Sequence, residues 1–402
     1  MKVRGSALYP KFMDLEALRD TTVGQVVPIS GTDKLGRDFS HFAFLPDHLP
    51  ALVQLQPTTW NSVAKAASAL GRLHQACAPL PNPGLLIAPA LVREAVDTSA
   101  LEGTYGALAD VMEARLSDTK VNSPEIAEIR AYERAAYFGF DWVKTGPVTI
   151  PLLEHLQGML VAEAQVPQRD PGKVREHQVV IGPRDCSVYE ARYIPPPPDD
   201  RLRAGLDDWI EWFESDREMP AVLMAAIAHY QFESLHPFGD GNGRIGRLLI
   251  VLQMLRLGAL SEPAITISPW LRRRRDAYQD HLLSVSRTGN WDPWVQFFCE
   301  GVWTQADAAV AVVDKLMTWL ANVRADLNER HWTGTVASIC EDLIDWPVIS
   351  NRFVQDRYGV SGPTAKSAID RLVQIGVLRE TSGRAYNRTY AASRVMQIVE
   401  EM

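Results

Sequence analysis

The sequence predicts a mainly α-helical protein in three regions, with a β-hairpin set into the helical core. Three observations carry that expectation. Ala- and Leu-rich stretches with apolar residues three and four apart recur over much of the 402 residues, without an internal repeat. Residues 173–194 instead read as two extended runs around a Gly-Pro turn. From about Thr333 the pattern changes to three short helices followed by a two-stranded end.

Taken in order, residues 1 to about 50 read as irregular and partly extended, rich in Pro, Gly and Asp. Helical periodicity runs from Trp60 to Cys77, with Trp60, Val63, Ala67, Leu70 and Leu73 on one face. Pro79 and the run Pro81-Asn82-Pro83-Gly84 break it. A helix over 89–96 follows, with Pro89 suited to its first turn. Further helices are read over 107–114, 124–143, 151–164, 203–215 and 220–234. The apolar run 248–257 extends a helix out of a glycine-rich loop, and helices over 268–285 and 294–323 come next. The last region is read as helices over 336–343, 350–358 and 361–374. Gly359 sits in the turn, Gly376-Val377-Leu378 closes the unit, and two strands lie within 381–390. The expected regions are 1–105, 106–325 and 331–402.

Composition sets the frame. A chain of 402 residues has room for two or three domains with substantial cores. Only four cysteines occur, Cys77, Cys186, Cys299 and Cys340, with no CxxC spacing, which excludes a disulfide scaffold and a zinc ribbon. Reduced thiols in a cytoplasm are expected. No signal-peptide core and no run of about 18 apolar residues is present, so no membrane span is expected. The formal charge of −8 argues against a polyanion binder acting through its whole surface.

The densest chemistry lies in His236-Pro237-Phe238-Gly239-Asp240-Gly241-Asn242-Gly243-Arg244-Ile245-Gly246-Arg247. Gly241 and Gly243 permit backbone angles that let consecutive N–H groups converge on an anion. The helix that starts there adds its unpaired N–H groups and positive dipole end. Arg244 and Arg247, three apart, are placed to fork onto phosphate oxygens. Asp240 is a hard oxygen ligand suited to Mg²⁺ on a nucleotide. His236, with an ordinary pKa of about 6.5, is mostly unprotonated near neutral pH and able to accept a proton.

HPFGDGNGRIGR resembles the signature of Fic domains, HPFx(D/E)GNGRxxR, with every specified position filled. The resemblance implies a Fic helical core that transfers AMP from ATP, with Mg²⁺, to a Ser, Thr or Tyr hydroxyl of a target protein. It implies that His236 deprotonates the hydroxyl and Phe238 anchors the loop. Asp240 would hold Mg²⁺, while Gly241, Asn242, Gly243 and Arg244 would bind phosphates and Arg247 the γ-phosphate. A kinase-like branch of the family, with lysine at the Gly243 position, fits less well. Tyr278 would help shape the adenine pocket; the family's Tyr-Tyr pair is Tyr278-Gln279 here.

Two upstream segments resemble the same family. Thr98-Ser99-Ala100-Leu101-Glu102-Gly103 is similar to its inhibitory motif (S/T)xxxE(G/N). That likeness implies that Thr98, Glu102 and Gly103 form an inhibitory helix whose Glu pairs with Arg247 and bars the γ-phosphate. On the residues alone, the same letters also fit a helix end with Gly103 as cap and Glu102 facing water. Gln178-Val179-Val180-Ile181-Gly182, with Pro195 to Pro198, resembles the Fic flap. The flap implies a target protein docked by strand addition at its edge. Residues 1–105 further resemble the amino-terminal Fic-associated region, and family members with such a helix often dimerise, so a homodimer is an assembly the resemblance allows.

The last region resembles a winged helix-turn-helix domain, whose third helix enters the DNA major groove. Lys366 and Arg371 on that helix, and Arg384 and Arg388 on the wing, are its candidate phosphate contacts. Residues 331–402 hold eight basic and eight acidic side chains, and zero net charge is unhelpful for duplex affinity. DNA binding and protein docking therefore both stay open. Two function classes follow: a self-inhibited protein AMP-transferase, and a DNA-binding regulator that uses the Fic domain as a nucleotide sensor. Within the enzyme class, Glu102 would serve AMP removal if it positioned a water.

Overall fold

The structure, a computed structural model, describes residues 12–32, 36–77, 84–116, 123–164, 169–183, 186–215, 218–382 and 388–401. The amino-terminal part comprises α1 (Leu15–Arg19), β1 (Gly24–Thr32), β2 (Asp38–Pro46), α2 (Pro57–Cys77), α3 (Gly84–Leu101) and α4 (Leu108–Ala114). The central part contains α5 (Pro124–Trp142), α6 (Ile150–Val161), α7 (Asp200–Glu214), α8 (Ala221–Leu235), α9 (Asn242–Arg256), α10 (Ser268–Arg273), α11 (Arg275–Thr288) and α12 (Asp292–Glu329). The carboxy-terminal part contains α13 (Thr335–Asp342), β3 (Val348–Ser350), α14 (Asn351–Tyr358), α15 (Gly362–Gln374), β4 (Arg379–Glu380), β5 (Thr389–Ala391) and α16 (Ser393–Glu400).

Helices α8 and α9 form the centre because neither carries a polar stripe. In α8 only Ala221 and Glu233 escape burial, and in α9 only Gly243, Leu255 and Arg256. A helix apolar on all sides belongs inside. Helices α2, α7 and α12 surround α8, while α3, α5 and α6 surround α9.

Helices α2 and α12 run parallel, since Thr59 meets Asp292, Lys65 lies over Trp303 and Arg72 pairs with Asp307. The α2 seam is Thr59, Val63, Ala66, Leu70, Leu73 and Cys77, the alternating four-three spacing of a coiled-coil face. That corrects the expected face: Trp60, 38% exposed, and Ala67 point outward. Polar Thr59 takes the seam position because its hydroxyl donates to the Asp292 carboxylate at 2.5 Å.

Three further expectations change. Strands β1 and β2 pair regularly and antiparallel, from Gly24↔Pro46 to Thr32↔Asp38, where irregular chain was the main expectation. Its inward Val27, Ile29, Ala43 and Phe44 share a small second core with Leu18, Val188, Tyr193 and Ile194. Helix α3 starts before Pro89, which lies inside it. The segment expected as a flap hairpin has no ladder among the described residues. Its arms meet at one antiparallel bridge, Ile181↔Tyr193, and a 3-10 turn over Val188–Glu190 precedes Tyr193 in the second arm.

The carboxy-terminal part folds as helices α13, α14 and α15 against a sheet of order β3-β5-β4. Gly359 caps α14 with a φ of 63°, the left-handed turn that glycine supplies between the two helices. Strand β3 and helix α16 add to the elements expected from the sequence. Helix α16 packs on α3 and α12, and the Arg115 guanidinium donates to the Asp345 carbonyl at 2.9 Å and lies 4.5 Å from the Trp346 ring centre. Among the described residues no helix is long and apolar enough to cross a membrane.

Candidate active site

The loop between α8 and α9 builds the site. His236 closes α8 in the left-handed region, with φ 47° and ψ 60°, a conformation rare for a residue with a Cβ. Its neighbours hold it there. The Phe238 ring is fully buried, and its N–H donates to Asn242 Oδ1 at 2.9 Å while Asn242 Nδ2 donates back to the Phe238 carbonyl at 2.8 Å. Gly241, with φ 82°, then starts α9, so the helix's first N–H groups face the loop. The Asp240 carbonyl is fixed by Gln157 Nε2 at 3.1 Å.

Both arginines of the loop are buried on α9, each 2% exposed. Arg244 Nη1 donates to Glu128 Oε1 at 2.6 Å, and its Nη2 lies 3.7 Å from Asp240 Oδ2. Arg247 is tied to the upstream segment. Its Nε donates to Thr98 Oγ1 at 2.7 Å, and its Nη2 to Glu102 Oε1 at 2.6 Å and to the Thr98 carbonyl at 3.2 Å. Gly103, with φ 99°, turns the chain just past Glu102. A Cβ at position 243 would press on Glu102 Oε1 and lie 2.8 Å from Arg247 Nη1, so a larger residue there would have to shift the ends of this pair. The helix-end alternative for this segment is therefore half right: α3 does end here, but Glu102 turns in to Arg247.

These groups border a cleft of about 180 Å³ lined by Glu102, Ile181, Arg192, Glu233, His236, Arg247 and Tyr278, among others. Burial, with the charge of Arg175 adding to it and Glu102 opposing it, pushes the His236 imidazole down to about 4. Burial pulls Glu102 up, but Arg247 overcomes it and the carboxyl settles below its ordinary value. Burial pushes Glu233 up to about 7, against the pull of Arg247. The Tyr278 hydroxyl meets His229 Nε2 at 2.7 Å, which ties it into the cleft wall. On the flap side, Gln178 Nε2 donates to the Val179 and Pro195 carbonyls, both at 3.0 Å, so this side chain joins the two arms. Val179 and Val180 are half-buried, Ile181 lines the cleft and Gly182 is exposed.

No group of three or more His, Cys, Asp or Glu able to hold a metal is present among the described residues. A cation beside this loop would rely on Asp240, whose side chain is 40% exposed, together with phosphate oxygens and water. That donor set suits Mg²⁺, which keeps most of its water and takes one or two carboxylates. The candidate contacts of the last region lie far from this loop in sequence, and three already have protein partners. Lys366 pairs with Asp370 at 2.6 Å, Arg388 with Glu380 at 3.1 Å, and Arg371 lies 5.3 Å from the Trp332 ring centre. Arg384 lies outside the described residues.

Residues 147–254 match the sequence model described as the Fic/DOC family, and residues 60–141 match its amino-terminal companion. Residues 147–254 are thus similar to a Fic domain. Curated proteins similar to this chain include a protein adenylyltransferase Fic of Drosophila ananassae, 27% identical over 60% of this chain and 45% of the relative. The corresponding protein of Culex quinquefasciatus is 35% identical over 29% of this chain and 22% of its own length. The chain thus spans less than half the length of these two relatives. A solved Fic family protein from Desulfovibrio desulfuricans superposes over 86% of this chain and 98% of its own, with a TM-score of 0.54 at 20% identity. Fic-1 from C. elegans superposes over 64% and 74%, with a TM-score of 0.50 at 20% identity. Both likenesses concern the fold.

Sequence reasoning missed three members of the site. Glu128 on α5 holds Arg244, Arg175 holds the loop that carries His236, and Glu233 sits one helical turn before His236. Glu128 is 116 residues from its partner and Arg175 is 61 from His236, so no local pattern marks either.

Proposed function

We propose that this protein is a self-inhibited protein adenylyltransferase that moves AMP from ATP to a hydroxyl of a target protein. The observation that carries the proposal is the Glu102–Arg247 contact at 2.6 Å, set at the head of a loop built to receive phosphates. The target hydroxyl oxygen attacks the α-phosphorus. Its bond to AMP forms as the bond to the β-phosphate oxygen breaks, pyrophosphate leaves, and His236 takes the hydroxyl proton. Arg244 and the first N–H groups of α9 would face the phosphates, and positioning with charge neutralisation supplies most of the acceleration. Mg²⁺, held through Asp240, would offset phosphate charge. While Glu102 occupies Arg247, the γ-phosphate has no partner there and the triphosphate lies out of line.

The carboxy-terminal part fits a winged helix-turn-helix unit. Because three of its candidate cations are already partnered, we assign it to docking or assembly before duplex binding. A reducing cytoplasm fits four cysteines that form no disulfide, three of them buried.

The test is transfer of label from α-labelled ATP with Mg²⁺ by the native chain, Glu102→Gly and Glu102→Gly/His236→Ala. Labelling by Glu102→Gly that vanishes in the double variant is expected, since a histidine base contributes roughly 10²–10⁴-fold. Equal labelling by both overturns the base assignment. A pH series adds a second check. With the imidazole near 4, it stays unprotonated through the neutral range. Glu102→Gly should then keep a nearly constant rate as pH falls from about 8 to about 6, where a histidine of ordinary pKa, about 6.5, would lose roughly three quarters. A midpoint near 6.5 contradicts this.

A further inference from the structure

We propose that Arg175 is a positioning residue that locks the backbone of His236 and fixes its place relative to both arms of the flap. The inference rests on the transfer reading, since it concerns the same histidine. Arg175 is 2% exposed, and its side chain reaches four main-chain carbonyls. Nε donates to the His236 carbonyl at 2.8 Å, and Nη2 to those of Pro196 at 2.6 Å and Leu235 at 3.4 Å. Nη1 donates to the His177 carbonyl at 3.2 Å. The Arg175 N–H adds a bond to the Pro237 carbonyl at 2.9 Å.

The partners explain the arrangement. Leu235 and His236 end α8, where the last carbonyls of a helix lack partners within it. Glycine usually ends a helix in the left-handed region; here His236 does so with a side chain the reaction needs. A five-donor planar fork can satisfy these carbonyls and hold that turn without glycine. The same fork grips His177 on the incoming flap arm and Pro196 after the outgoing arm. One side chain therefore relates the base to the edge where a target would lie. Burying a guanidinium among carbonyls alone is unfavourable, and burial lowers Arg175 to about 9, so packing convenience does not account for it. Its charge also helps keep His236 neutral.

The test compares Arg175→Lys and Arg175→Met in the Glu102→Gly background, each checked for folding. Glu233, Arg247, Tyr278, Arg192 and Tyr193 share the cleft with His236 and stay constant throughout. Lysine keeps the charge but cannot reach four carbonyls. Its kcat should fall at least roughly tenfold, because small misplacement of a base is costly, while KM for ATP changes less than about twofold. The NMR titration of His236 should stay low in Arg175→Lys and rise in Arg175→Met. Amide exchange at 177–181 should quicken in both. An unchanged kcat with unchanged exchange in a folded Arg175→Lys overturns the proposal, as does a change in KM alone. If the parent Glu102→Gly transfers no AMP, the transfer reading fails, while the titration and exchange still decide the role of Arg175. If Arg175→Met does not fold, Arg175→Lys decides through exchange.

Discussion

Glu102→Gly is expected to transfer AMP roughly 10- to 100-fold faster than the native chain at equal ATP. The figure follows from the contact it removes. A hydrogen bond between charged groups contributes about 1.5–3 kcal/mol, and each 1.4 kcal/mol is about tenfold. Arg247 is buried, but the Glu102 side chain is 37% exposed, so solvent weakens the pair and the upper end is not expected. Removing the carboxylate does not strand Arg247, which keeps two contacts to Thr98. A modest loss of thermal stability, restored by ATP, should accompany the gain.

Nucleotide choice makes the test specific. If Glu102 excludes the γ-phosphate, Glu102→Gly tightens ATP binding and leaves ADP binding nearly unchanged. Glu102→Gln, which removes the charge and keeps the shape, should fall between. Equal tightening of ATP and ADP would mean that Glu102 merely closes the cleft. Acid is not expected to mimic the variant near neutral pH. Arg247 holds the Glu102 carboxyl below its ordinary value, so the pair is intact above that range and is lost only as pH falls through the lowered value.

How much of this was legible depended on distance along the chain. The residues 236–247 write out the end of α8, the turn and the start of α9, and local geometry alone fixes where their N–H groups point. The reach from Glu102 to Arg247 crosses 145 residues, and only likeness to a family pattern suggested it. Glu128 and Arg175 had no such pattern. The amino-terminal hairpin was hidden by Pro28 and by the glycines at 24 and 31, which read as loop, although Val27 and Ile29 alternate as a strand should. The flap keeps antiparallel pairing at Ile181↔Tyr193 but not two full strands. Its alternating apolar residues suggest two strands, yet Arg175 and Gln178 side chains take carbonyls of both arms that a ladder would need. In α2 the aromatic at 60 drew the apolar face one position away from Thr59, whose partner Asp292 is invisible to local periodicity.

Arg244→Ala and Glu128→Ala are each expected to destabilise the protein by about 3–5 kcal/mol, because either leaves a buried charge without its partner. Both groups are enclosed, at 2% and 9% side-chain exposure. Asp240, at 3.7 Å, is too far and too wet to replace Glu128. The double variant should lose clearly less than the sum of the two, since no lone charge remains. Melting temperature reads the stability, and ATP affinity separates the two side chains. Loss of Arg244 removes a phosphate donor outright, whereas Glu128→Gln keeps an acceptor for the guanidinium and should retain most binding. Additive losses in the double variant would show that the two residues act independently. Full ATP binding by a folded Arg244→Ala/Glu128→Ala protein would take Arg244 out of the phosphate site and leave it a structural link between α5 and α9.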